Sequence, residues 1–141
     1  VNELGATPIH VIGMPVGSSK SPEIFGVSSD SAEMLEEAGI SAPPAIGAIA
    51  GPAGALMQRA SRTGIESIGL LVETDPFLPD PRAAQVAIDQ GIGPLTGIEV
   101  DTRLLVETAD EIRRQKERFA EEIRAAEQQK TTEAFPREMY G

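Results

Sequence analysis

Glu73, Asp75 and Asp80 lie just past the carboxyl end of the apolar run Ile68–Val72. If that run is a strand, these carboxylates stand where α/β proteins place functional groups. Two of them could hold a cation or share acid and base work. Each also has a plainer use, since Asp80 precedes Pro81 as a helix cap and Asp75 sits in a proline-rich turn. Gly47, Gly51 and Gly54, with Pro52, precede a helical pattern, and amides at a helix start can cradle an anion. The run matches neither the dinucleotide fingerprint nor the Gly-Lys-Ser/Thr of a P-loop, and tight packing of a helix start accounts for it as well. His10 is the only histidine and stands between Ile9 and Val11, the setting of a packed residue rather than a catalyst. Ser18-Ser19-Lys20-Ser21 has neither Ser-x-x-Lys spacing nor a Gly-x-Ser-x-Gly elbow. No catalytic residue, metal ligand or cofactor site is assigned. Tyr140 is different: it is the only tyrosine and the next-to-last residue, in Met139-Tyr140-Gly141. An apolar side chain, a phenol and a terminal carboxylate can enter one pocket together, the carboxylate meeting a lysine or backbone amides.

The elements that would position these groups alternate between strand and helix. Pro8–Ile12 reads as a buried strand closed by Gly13, and Ile24–Val27 as a second. Asp30, with Glu33 three positions on, predicts a capped helix that stops at Gly39. Gly51-Pro52 opens another helix, whose buried side should include Leu56 and Ala60 and which ends at Gly64. Ile68–Val72 has the unbroken apolar character of a parallel strand covered on both faces. Asp80-Pro81 leads into a helix over Arg82–Gln90, and Asp101 caps a long one from about Thr102 to Gln129. The expected fold is therefore α/β with a mostly parallel sheet, an α/β domain over 1–101 and a long amphipathic helix over 102–129. Residues 130–141 read as a flexible tail of about 20 Å reach.

Along the long helix Leu105, Ala109, Ile112, Lys116, Phe119, Ile123 and Ala126 repeat at heptad spacing. The seam is narrow and the helix is longer than a domain of this size covers, which favours self-association through Leu105, Ala109, Ile112, Phe119 and Ile123. Lys116 is a polar intrusion of the kind that sets register.

Composition narrows the classes. In 141 residues, 40% are hydrophobic and 24% charged, the proportions of a globular chain. Twenty-two acids against twelve Lys and Arg give a formal charge of −10, which argues against nucleic acid or an anionic membrane as partner. The absence of cysteine removes disulfides, thiol catalysis and cysteine-type zinc sites. The uncharged stretch Ala38–Gln58 is long enough to span a bilayer. It holds three prolines and four glycines, however, and reads instead as a buried loop-and-helix segment. The first residue is Val1, as in a fragment or a chain from a non-standard start, and no signal peptide is recognisable.

Several stretches together resemble the archaeal proteasome assembly chaperone family. They are Gly26-Val27-Ser28-Ser29-Asp30 into Leu35-Glu36-Glu37-Ala38-Gly39, the glycine segment Gly47–Leu56, and Gly69–Thr74 followed by Pro79-Asp80-Pro81-Arg82-Ala83-Ala84. Gly97–Thr102 with Leu104-Leu105 adds to the match. The resemblance implies a phosphorylase/nucleoside-hydrolase-like α/β fold in a cytoplasmic, non-enzymatic homo-oligomer that binds proteasome core α subunits. It also implies that Met139, Tyr140 and Gly141 form the hydrophobic-Tyr-X motif that enters pockets of the α ring. Family chains are longer at the amino end, so the opening strands of the sheet are expected to be missing here. The competing reading is a nucleoside phosphorylase or hydrolase with Glu73 and Asp75 acting on a small anionic substrate held at Gly51–Gly54.

Overall fold

A computed structural model of the chain describes residues 2–17, 21–30 and 32–133. A single 3-10 turn, Asn2–Leu4, precedes the first strand. Among the described residues three strands form one sheet: β1 (Ile9–Pro15), β2 (Ile24–Ser28) and β3 (Ile68–Thr74). Their order is β1-β3-β2, with β1 parallel to β3 and β2 antiparallel to it. The expectation of a mostly parallel sheet is thus corrected to a mixed one among the described residues. The continuous apolar run of β3 records burial on both faces, which the middle strand has whichever way its neighbours run.

The register sorts the side chains. Ile9 pairs with Ile68 and Gly26 with Leu70, so Ile9, Gly26, Ile68, Leu70 and Val72 share one face. That face carries the core: Leu35, Ile40, Ile68 and Leu70 pack together with Ile9, Ile24, Ile92 and Leu95, and Val72 meets Ala83, Val86 and Ala87. Helices α1 (Glu33–Glu37), α3 (Pro81–Val86) and α4 (Gly93–Thr96) supply these partners or flank them. The opposite face is met by α2 (Gly51–Thr63), whose Met57 sulfur would lie 2.8 Å from any Cβ at Gly69. Leu56, expected inside, is 55% exposed, and Met57, one position on, is buried in its place.

β1 is an edge. Pro8 O accepts the Ile68 amide and the Val16 amide donates to Thr74 O, so the even positions between them face β3. The amides of Ile9, Val11 and Gly13 point the other way. Pro15, in the same phase, has no amide to leave unpaired.

The helix ends follow local chemistry, with two departures. Gly39, Gly64 and Gly97 adopt left-handed φ angles of 72°, 66° and 70° and end α1, α2 and α4. Asp80 caps α3, accepting the Ala83 amide at 3.1 Å. Asp30, expected as a cap, instead donates its amide to Ser28 Oγ, and α1 begins later, behind Ala32, without a side-chain cap. The helix expected over Arg82–Gln90 ends at Val86 and widens into a π turn, Ala87–Ile92, before α4. Pro94 explains the widening, because it has no amide to donate to Gln90 and its ring would crowd that carbonyl in α geometry.

Residues 1–106 form one compact unit and 107–141 a second. The long helix α5 runs Arg103–Glu133, 31 residues or about 46 Å. No helix among the described residues is long and apolar enough to cross a membrane. The uncharged Ala38–Gln58 stretch is mostly exposed rather than buried, apart from Ile40 and Met57.

Candidate docking sites

The three carboxylates at the end of β3 and just beyond it, Glu73, Asp75 and Asp80, are engaged with the backbone. Glu73 Oε2 accepts the Glu23 amide at 3.1 Å, and the Glu73 amide donates to Glu23 O at 2.9 Å, so residue 73 fastens the entry to β2. Asp75 Oδ1 accepts the amides of Phe77 and Leu78, and the Asp75 amide donates to Asp80 Oδ2. This arrangement holds a turn. Among the described residues, no group of three His, Asp or Glu side chains is placed to hold a metal ion. Glu73→Ala, which deletes one amide partner, should lower unfolding stability by about 1 kcal/mol, and Glu73→Gln, which keeps an acceptor, by less. Urea denaturation measures both. Loss of a hydrolase or phosphorylase activity at unchanged stability would contradict a structural role.

Gly54 answers to packing. A Cβ there would strike the Ile49 carbonyl oxygen, because the segment before α2 folds across the first turn of the helix. Gly51, at φ 74°, makes the left-handed entry to that turn. His10 stands on β1 opposite Gly69. Ser18, Ser19 and Lys20 lie outside the described residues, as do Met139, Tyr140 and Gly141.

Among the described residues of the first unit are two depressions of note. One of about 640 Å³ is lined by residues including Gly26, Leu35, Gly39 and Ile40. Another of about 560 Å³ runs between Ile88, Asp89, Pro94, Ile98 and Glu99. Neither is lined by Glu73, Asp75 or Gly51–Gly54. Sequence reasoning passed over Asp89, which joins three segments: both its oxygens accept from the buried Thr102 hydroxyl, at 3.1 and 3.0 Å, and one also accepts from Gln85 Nε2. Thr102 O in turn takes the first amides of α5 from Leu105 and Val106. Its place just before a helix was the available signal, but the hydroxyl turns to Asp89 instead of capping. Asp101 serves the helix start, its Oδ1 accepting the Arg103 amide. The Arg103 guanidinium, and after it that amide, hold the Asp101 carboxyl below the usual range.

On α5 the apolar positions of the seam divide. Leu105, Ala109 and Ile112 are partly buried, whereas Phe119 is 65% and Ile123 44% exposed. The flanks carry acid-before-base pairs, Asp110 with Arg113 at 3.4 Å and Glu111 with Arg114 at 2.9 Å. Hydrogen bonds from Arg114, then Gln115, lower the Glu111 pKa.

The family model described as "PAC2 family" matches residues 1–120. The crystal structure of Pyrococcus furiosus PbaA, an archaeal homolog of proteasome-assembly chaperone, is 30% identical over 99% of this chain and 60% of its own, with a TM-score of 0.73. Pyrococcus furiosus PbaB, an archaeal proteasome activator, is 22% identical over 84% of this chain and 53% of its own, at 0.71. A proteasome-assembly chaperone homologue from Mycobacterium tuberculosis shares the fold at 15% identity, covering 83% of this chain and 51% of its own, at 0.61. The chain thus spans 60% or less of the length of these relatives. No curated protein matches the chain.

Proposed function

The chain belongs to the PAC2 family, and from that premise we propose that it is a non-enzymatic, cytoplasmic chaperone or adaptor of the proteasome core particle. It works as a homo-oligomer and docks Met139, Tyr140 and Gly141 into pockets of the core α ring. The observation that carries the reading is the 30% identity to PbaA over 99% of the chain. The amide-bound carboxylates of Glu73, Asp75 and Asp80 support it, since their hydrogen bonds tie the entry to β2 and hold a turn.

The tail mechanism needs three groups at once: the Met139 side chain in an apolar slot, the Tyr140 ring and hydroxyl, and the carboxylate of Gly141. A carboxylate on a buried lysine contributes about 1.5–3 kcal/mol as a charged hydrogen bond, and a buried tyrosine about 2 kcal/mol or more as an anchor. After ordering entropy one tail binds weakly, in the micromolar range or above, and an oligomer gains about 10²–10⁴ by avidity where the spacing fits. Tyr140→Ala, or a tag fused after Gly141, should weaken capture of the core particle about 100-fold or more while leaving fold and mass unchanged. A pull-down with and without the last three residues measures this. Full affinity in a carboxy-terminally tagged protein would overturn the mechanism.

A further inference from the structure

Phe77 is 89% exposed at the tip of the turn after β3, with the exposed Leu78 beside it. The turn is held from both sides. Asp75 Oδ1 accepts the amides of Phe77 at 2.9 Å and Leu78 at 3.1 Å, and the Asp75 amide donates to Asp80 Oδ2 at 3.0 Å. Asp80 is in turn fixed at the start of α3 by the Ala83 amide. Pro76, Pro79 and Pro81 restrict φ at three more positions. A large apolar pair is therefore presented on a backbone with little freedom left to lose on binding, as a docking anchor requires.

Charge decides what it meets. From Glu73 to Arg82 there are three carboxylates and one guanidinium, on a unit whose residues 1–106 hold thirteen acids against five bases. A second copy would bring like charge to the contact, and an anionic lipid surface would repel it. A protein pocket with a lysine or arginine rim attracts it. We propose that residues 75–79 form a docking knob, with Phe77 and Leu78 entering an apolar pocket rimmed by basic side chains on a partner protein. The proposal rests on the reading above in taking the proteasome core particle as that partner, and it adds a contact separate from the tail.

The test uses the full chain against immobilised core particle in four forms: unaltered, Phe77→Ala, Asp75→Asn, and lacking residues 139–141. Phe77→Ala should weaken binding about 30-fold at unchanged melting temperature, the side chain being exposed. Asp75→Asn keeps an oxygen for the two amides and removes one charge, so it should weaken binding about threefold at low salt and not at high salt. Loss on Phe77→Ala with none on tail removal would uphold the knob and overturn the tail. The reverse would overturn the knob and uphold the tail. Failure of the unaltered chain to bind would overturn both. A changed mass of the Phe77→Ala protein by light scattering would reveal a contact between copies and overturn the knob.

Discussion

Replacing Ile112 and Phe119 together by aspartate should leave a monomer, seen in light scattering as a fall to the chain mass of 14.9 kDa. Both residues lie on the heptad seam of α5, seven positions apart on one side of the helix. In a helix-to-helix contact each aspartate would be taken out of water at a cost of several kcal/mol per charge, which Lys116, the one cation of the seam, offsets for one aspartate at most. Because every copy carries both changes, the cost recurs on each chain in the contact, and the association constant should fall by about 10⁴ or more. The helix itself should persist, since Glu111–Arg114 and the neighbouring pairs lie off the seam. Circular dichroism should show unchanged helix content. An unchanged mass in the double variant, or a monomeric unaltered protein, would overturn the seam as the assembly element.

The second large effect is in the sheet. Leu70 is fully buried on the middle strand, in the cluster with Leu35, Ile40 and Ile68. Leu70→Ala should cost about 3–5 kcal/mol, from lost transfer energy and the cavity left behind. Gly91 makes the outcome specific: a Cβ there would lie 2.8 Å from Leu70 Cδ1 and 2.8 Å from Ile24 Cδ1. Gly91→Ala alone should therefore destabilise by about 1–3 kcal/mol through overpacking. Added to Leu70→Ala, the same methyl enters vacated space, so the double variant should be more stable than the sum of the singles by about 1–2 kcal/mol. Urea unfolding of the four proteins completes the cycle, and strict additivity would mean that Gly91 does not face Leu70.

The parts of this fold legible in sequence are those where one residue settles one local geometry. Asp80-Pro81 caps a helix, Gly39 and Gly64 end helices, and the Ile68–Val72 run can hardly be other than a buried strand. Strand direction was not legible, because Ile24–Ser28 is apolar in either sense and only its pairing with β3 fixes it. Asp30 carried the right spacing for a cap, yet its amide was taken by Ser28 Oγ, a competition between local hydrogen bonds that spacing does not rank. Leu56 and Met57 differ by one position on a short helix, and the neighbour that selects Met57 is Gly69, a residue with no side chain to announce it. In the candidate site, sequence reading found the carboxylates and the Asp80 cap but not the Glu23, Phe77 and Leu78 amides, and it gave Phe77 no weight. An exposed phenylalanine becomes informative only once the turn beneath it is seen to be held.

The strand order carries a consequence for synthesis. Every pairing in the sheet joins residues forty or more positions apart, and the strand that joins the two edges is the last of the three in the chain. At about 5–20 residues per second, β1 leaves the ribosome about 3–12 s before the end of β3. In that interval Ile9–Pro15, seven residues without a formal charge, lacks the β3 strand it pairs with, and so does β2. The interval is a property of the order in which the strands are made, so stabilising the finished sheet would leave it unchanged, whereas pausing translation before Ile68 would lengthen it.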